Sequence, residues 1–264
     1  MKLFRYVGSA IKHPAETRAP SLLRCLLAQP VLFDVASAVL QWRDVSRVER
    51  ADHAYLSEDP EVKKTHDHNL NQIRRFTRTR RAEPYYQALT ANLPDIKSKK
   101  LLIVGGRSIQ EFALAWTFGF RWQNMIGIDL FSTNKKILPM NMEEMSFPDE
   151  TFDLVTAINV LGYTSGIEKG LRECARVLKP HGRFVFDHTY RPDDVEHPVM
   201  KLKGREVAHI LEAASLEIYF HNAKDKVTRG LDKQTQRGFR QTAHIFGCRK
   251  IPPDEEQLDL YRAY

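Results

Sequence analysis

From residue 99 onward the chain alternates short apolar runs with amphipathic stretches, the pattern of strands and helices in turn. Residues 101–104 (Leu-Leu-Ile-Val) are apolar at every position, which predicts a buried strand. A helix over 108–118 follows. Ser108 stands at its N-cap and Glu111 three residues on, the spacing of a capping box. Further strands are predicted over 125–130, 137–140, 152–158 and 183–187, with helices over 167–178 and 203–214. Pro180 and Gly182 stop the first of these helices. The last two strands, 216–221 and 242–248, have no convincing helix between them, only a polar, basic stretch over 222–240. They read as an antiparallel hairpin closing a mostly parallel sheet. The fold class is therefore α/β, a Rossmann-like sheet with an antiparallel last strand.

The first 97 residues read differently. They are helical and irregular, broken by Pro14, Pro20, Pro30 and Pro60, with the best helical pattern over 69–93. An apolar stretch over 22–40 contains Arg24, Gln29, Pro30 and Asp34, which makes it a poor membrane span. Two readings stay open for it: helices packed on the domain, or an interfacial helix. The expected organisation is a basic helical extension (1–97), an α/β domain (98–250) and a tail (251–264).

Charge sharpens that division. Residues 1–100 hold 18 Lys and Arg against 11 Asp and Glu, whereas residues 101–264 hold 22 of each, so the net charge of +7 lies wholly in the extension. Its densest run is Arg74-Arg-Phe-Thr-Arg-Thr-Arg-Arg81. That run is either a solvated helix face or a patch for phosphates, anionic glycans or lipid headgroups. No recognisable nucleic-acid module accompanies it, which disfavours nucleic acid as the partner. Three scattered cysteines without a CxxC spacing, and no signal-like N-terminus, predict a reducing cytoplasmic location. Peripheral membrane contact through residues 1–81 is the accompanying expectation. The ten histidines include no H-E-x-x-H spacing, and no metal site is expected.

Candidate chemistry begins where the first strand ends. Gly105-Gly106-Arg107 opens the predicted helix, and Gly127-Ile128-Asp129 ends the second strand in a carboxylate. Gly lets a backbone approach a ligand, a helix N-terminus offers free N–H groups, and a carboxylate accepts ribose hydroxyls. The turn departs from the dinucleotide fingerprint, with Arg107 and Ile109 where further glycines would stand. Three segments follow in order: Asn141-Met-Glu-Glu-Met-Ser-Phe-Pro-Asp-Glu-Thr-Phe-Asp153, Ile158-Asn-Val-Leu-Gly-Tyr163 and Glu173-Cys-Ala-Arg-Val-Leu-Lys-Pro-His-Gly182. Together they resemble the class I S-adenosylmethionine-dependent methyltransferases of the type 11 kind. The resemblance covers residues 99–190 at motif level and extends to Lys250 by topology.

That resemblance implies a seven-stranded sheet with its last strand inserted antiparallel, and S-adenosyl-L-methionine as cofactor. It implies that Gly105 and Gly106 pass close to the methionine part, that Asp129 accepts both ribose hydroxyls, and that Leu130 lies against the adenine. Asn141 stands where the family usually has an acid near the adenine amino group, with Met142 offering a backbone N–H and apolar cover. Asn159 would line the site. Ile103 replaces an acid that many members carry. Arg107 blocks the methionine pocket, pairs with the cofactor carboxylate, or is a surface residue beside the turn. A subset of similar sequences shares a Gly-x-Arg turn, a following Glu (here Glu111) and Gly127-Ile-Asp-Leu-Phe-Ser132.

Asp187 and His188 are expected after strand five, at the carboxyl edge of the sheet, either as the base that deprotonates an acceptor or as loop anchors. Phe112, Trp116, Phe118 and Phe120 are expected in the core. The expected function is methyl transfer to an O or N atom of a small-molecule, lipid or glycan acceptor, anionic ones included. The competing reading is a non-catalytic binding or scaffold protein with a degenerate cofactor site. A nicotinamide-dependent dehydrogenase is disfavoured, since nothing after strand four resembles one.

Overall fold

The computed structural model describes residues 20–48, 79–130, 132, 134–192, 198–231 and 238–252. They contain six α-helices: α1 (Pro20–Ala28), α2 (Pro30–Val48), α3 (Glu83–Thr90), α4 (Ile109–Thr117), α5 (Ile167–Val177) and α6 (Gly204–Ala213). The strands are β1 (Leu101–Val104), β2 (Met125–Asp129), β3 (Ile137–Pro139), β4 (Phe152–Ala157), β5 (Leu178–Tyr190), β6 (Leu216–Leu231) and β7 (Gly238–Lys250). They form one seven-stranded sheet in the order β3-β2-β1-β4-β5-β7-β6. The described residues fall into two compact units, divided between Asn141 and Met142.

In the first unit β1, β2 and β3 pair in parallel, with Leu101 opposite Met125 and Gly127 opposite Ile137. All four side chains of β1 are buried, as expected of a strand covered on both faces. Phe112, Trp116 and Phe120 are fully buried, and Phe118 stacks on Tyr86 at 5.5 Å. The helices before residue 98 pack into this same unit. Leu23, Leu27, Phe33, Ala36 and Leu40 are buried, Arg24 donates to the Phe120 carbonyl at 3.0 Å and lies over the Trp116 ring. Residues 69–78 of the expected 69–93 helix, and with them most of the basic run, lie outside the described residues. Its described part is a short 3-10 turn at Thr79–Ala82 followed by α3. There Arg80 pairs with Glu83 at 2.5 Å and donates to the Ala28 carbonyl at 3.1 Å, so this arginine fastens α1.

In the second unit β4 and β5 are parallel, while β7 runs antiparallel between β5 and β6. Two expected boundaries change here. Strand five starts at Leu178, directly after α5, rather than at 183. Residues 179–182 form an irregularity, because Phe152 pairs with Leu178 while Leu154 pairs with Arg183. Gly182 is required at that point, since a Cβ would lie 2.8 Å from the Lys179 carbonyl oxygen and 3.0 Å from that of Asp153. The polar stretch 222–240 is the second correction, because strand extends through most of it. β6 runs to Leu231 and β7 starts at Gly238, with Leu231 opposite Gly238. A backbone ladder needs no apolar side chains, so the alternation that marks a half-buried strand is missing there.

Candidate functional site

The first unit brings together Gly105, Gly106, Arg107, Glu111 and Asp129. Register alone does much of this, because Val104 pairs with Ile128 and so β1 and β2 end side by side. Gly105 has φ +73° and donates to the Ile128 carbonyl at 2.8 Å, while the Arg107 amide donates back to the Gly105 carbonyl at 2.9 Å. The chain therefore reverses tightly over Gly106, where a Cβ would press to 2.9 Å from the Ile103 side chain.

The expected capping box is absent. Ser108 is the N-cap, but its side chain makes no cap bond; its hydroxyl donates to Gln110 Oε1 at 3.0 Å. Gln110 Nε2 in turn donates to the Ser37 carbonyl at 2.8 Å and the Ser37 hydroxyl at 2.7 Å. This buried chain of bonds joins α2 to the start of α4 and outcompetes the local cap. Glu111 is thereby released from capping and sits within electrostatic reach of Arg107 and Asp129. Burial pushes its carboxyl up to about 7; Arg107 opposes that shift and Asp129 reinforces it.

Asp129 is buried at the carboxyl end of β2, and its carbonyl accepts from the Met140 amide at 2.9 Å. That bond fixes the chain just before Asn141, which is half-buried, as is Leu130. Arg107, also half-buried, offsets a site that otherwise holds two carboxyl groups. In the sequence Glu111 stands out by its capping-box spacing from Ser108 and by following the Gly-x-Arg turn; its place beside Asp129 has no local signal.

The second unit holds Met142, Asn159, Asp187 and His188. Met142 is buried against α5, where a Cβ on Gly170 would come within 2.9 Å of its methyl. Asn159, exposed and at φ +55°, donates its amide to Asp187 Oδ1 at 2.5 Å. Asp187 thus pins the loop after β4, the anchoring role expected as its alternative. His188 is corrected in place, since neither it nor Asp187 follows strand five; both lie within it, paired to Ile245 and His244 of β7. His188 is 2% exposed and its Nε2 is bonded to the Leu202 carbonyl at 2.7 Å. Burial lowers its pKa, with the Leu202 bond opposing. Nothing in this setting favours its use as a solvent-reaching base.

The conspicuous motifs prove to be joinery. Arg176 donates to the Phe147 and Met145 carbonyls at 2.8 and 2.9 Å, to Asp149 Oδ1 at 2.7 Å and to both oxygens of Glu173. Glu173 also accepts from the Met145 amide at 2.7 Å. Its bonds to Arg176 hold the Glu173 carboxyl below the usual range and the guanidinium above its own. Lys179 pairs with Asp153 at 3.1 Å. Glu143, overlooked in the sequence, is buried and takes the Ser165 amide and hydroxyl and the Gly166 amide, capping α5. Its signal was one acid of the Glu143-Glu144 pair, 23 residues before the Gly166 amide it caps, too distant for any local rule.

Strand order, with β7 antiparallel between β5 and β6, is that of the class I methyltransferase fold. The match to the family described as methyltransferase domain covers residues 114–186, starting inside α4 and ending in β5. The sequence is 42% identical over 78 residues to the uncharacterized methyltransferase YcgJ of Bacillus subtilis, over 28% of this chain and 31% of that one. It is 31% identical over 137 residues to the ubiquinone/menaquinone biosynthesis C-methyltransferase UbiE of Vibrio parahaemolyticus, over 50% and 52% of the two chains. The sterol 24-C-methyltransferase erg-4 of Neurospora crassa is 29% identical over 163 residues, covering 52% of this chain and 43% of that one. The chain spans no more than about half the length of these curated relatives. A solved structure from Bacillus halodurans C-125, assigned as a methyltransferase, shares the fold at TM-score 0.51 and 14% identity, over 64% of this chain and all of that one.

The residues present fit S-adenosylmethionine. Gly105 takes a positive φ, a Cβ on Gly106 would press on Ile103, α4 begins without a side-chain cap, and a buried acid ends the neighbouring strand.

Proposed function

We propose that this protein transfers a methyl group from S-adenosylmethionine to a lipid-type acceptor. The observation that carries this reading is the pairing of a positive-φ Gly105 turn with the buried Asp129 at the end of the adjacent strand. In this reading Asp129 accepts the ribose hydroxyls, and the backbone of 105–107 with the first turn of α4 faces the methionine part. The cofactor supplies an electrophilic sulfonium methyl. Arg107 has the charge to receive the cofactor carboxylate, and burial of Glu111 beside it pushes that carboxyl toward its neutral form, which keeps the pocket from becoming strongly negative.

The lipid-type acceptor is supported by the relatives, since these are named as C-methyltransferases of ubiquinone/menaquinone biosynthesis or of sterols. That favours carbon over the O or N expected from sequence. Calorimetric titration with S-adenosylhomocysteine tests the cofactor half: micromolar binding is expected, weakened sharply in Asp129→Ala. Absence of binding up to millimolar ligand selects the non-catalytic scaffold instead. Labelled methyl transfer into lipid extracts, absent in Asp129→Ala, tests the acceptor half.

A further inference from the structure

We infer that α1 and α2 form a membrane-docking surface, with an anionic lipid bilayer as its partner. Both helices already bury one apolar face within their own unit, through Leu23, Leu27, Phe33, Ala36 and Leu40. A second apolar face remains outside. Leu22 and Leu26 on α1, and Val31, Val35, Val39 and Trp42 on α2, are all exposed, Val31 at 72% and Trp42 at 75%. The spacings of four, four and three residues along α2 place its members in one stripe, one step around the helix from the buried set. Isolated exposed apolar residues are ordinary; a continuous stripe on two successive helices marks an interaction site.

Two observations identify the occupant. The first is charge. The segment carrying the stripe also carries the chain's entire positive excess. In sequence the stripe is flanked by Lys2, Arg5, Lys12 and Arg18 on one side and by Arg43, Arg47 and Arg50 on the other, against the acids Glu16, Asp34, Asp44 and Glu49, so cations outnumber acids by eight to four over residues 1–50. Apolar residues between cations suit the boundary between acyl chains and anionic headgroups, where an exposed Trp is also favoured.

The second is geometry. No single helix among the described residues is long and apolar enough to span a bilayer, and α1 and α2 pass that test only as a pair bent by 94°. Since their inner faces are occupied by protein, the pair is built to lie on a membrane rather than cross it. The contact also lies one helix from the glycine turn, because Ser37 on α2 holds Gln110 of α4. A lipid-type acceptor would thus be met at the surface where it resides, although the docking surface stands whether or not methyl transfer occurs.

The test is co-sedimentation of the full chain with vesicles of phosphatidylcholine alone and of equal parts phosphatidylcholine and phosphatidylglycerol. Tryptophan emission is followed in parallel. Trp116 and Trp122 are buried, so a blue shift reports on Trp42. Binding to the anionic vesicles is expected, with a blue shift, and binding weakened by salt. The double variant Val35→Glu/Val39→Glu should bind at least about tenfold more weakly, with an unchanged circular dichroism spectrum and unchanged S-adenosylhomocysteine binding. No sedimentation with either vesicle overturns the inference, as does binding that the double variant leaves intact. A wild-type dimer that the double variant converts to monomer, without vesicle binding, assigns the stripe to a second copy and equally overturns it.

Discussion

The loop before β4 and the turn after β1 lie in different units of this protein and are stabilised by opposite means. Around Arg176 the donors and acceptors answer one another: a guanidinium meets two carbonyls, Asp149 and Glu173, and Glu173 closes the circuit on the Met145 amide. Around Gly105 the charges are crowded: Glu111 is pushed up to about 7 in the neighbourhood of Asp129 while Arg107 pulls the other way. The first arrangement is what a scaffold requires. The second is costly in isolation and becomes useful when a ligand supplies hydroxyls for one carboxylate and an anion for the arginine. Strongly shifted groups gather where a protein does chemistry. The comparison teaches that the most conspicuous motifs of this chain build its scaffold, while the crowded charges gather at a less conspicuous turn.

The contrast can be broken most severely at Arg176. Arg176→Ala would strand Glu173 and two carbonyls, and should cost roughly 3 kcal/mol of unfolding free energy in denaturant titration. S-adenosylhomocysteine affinity of the fraction that remains folded should stay near wild type; a parallel loss of affinity would mean the two regions are not separable in this way. The converse is expected of Asp129→Ala. Losing a doubly accepting carboxylate should weaken S-adenosylhomocysteine binding roughly a hundredfold, with the unfolding midpoint little changed or raised.

Glu111 sharpens the same contrast through pH. Its carboxyl rises from 4.5 to about 7 on folding, so between those values the unfolded chain ionises while the folded one retains its proton. Stability from this group is therefore lost as pH rises through 4.5 to 7. Glu111→Gln should raise stability at pH 8 by about 2 kcal/mol in chemical unfolding, once partial solvent access is allowed for.

A smaller effect of opposite sign comes from the second unit. His244 bonds to His221 at 3.0 Å and stacks near His188, and burial first, then those two rings, lower its pKa to about 4. Below 6.5 the unfolded chain takes up a proton that the folded chain refuses until about pH 4, so stability falls as pH drops through that window. His188 and His221 act in the same direction. Between pH 4.5 and 6.5 the two units therefore oppose one another. Glu111→Gln should leave a curve that climbs with pH, and His244→Phe one that falls, each slope worth about 1 kcal/mol per pH unit at most. Identical curves for the two variants would remove the basis for this opposition.

The architecture was largely legible because β1, β2 and β4 are apolar at nearly every position and α5 has a clean amphipathic face. These are signals that burial itself writes into a sequence. What escaped was decided by partners far along the chain. Ser108 and Glu111 have the spacing of a capping box, yet Gln110 draws Ser108 into a bond with α2. Asp187 and His188 looked like the end of a strand because polarity rises there, but their backbone continues the ladder with β7. The ribose-type acid and the glycine turn were legible for a different reason. They depend on the ends of two adjacent strands, which short stretches of sequence can specify.

The placement of β7 bears on how the sheet is completed. β6 has β7 as its only partner in the sheet order, although β6 comes first in the chain. The two strands make a ribbon of contacts local in sequence, and that ribbon meets the rest of the sheet through β7 along the whole run from Arg183 to Tyr190. Stacked rings of Phe186, Phe246 and His221 across the three strands fix its register. This end of the sheet is thus a hairpin fastened by one of its two strands.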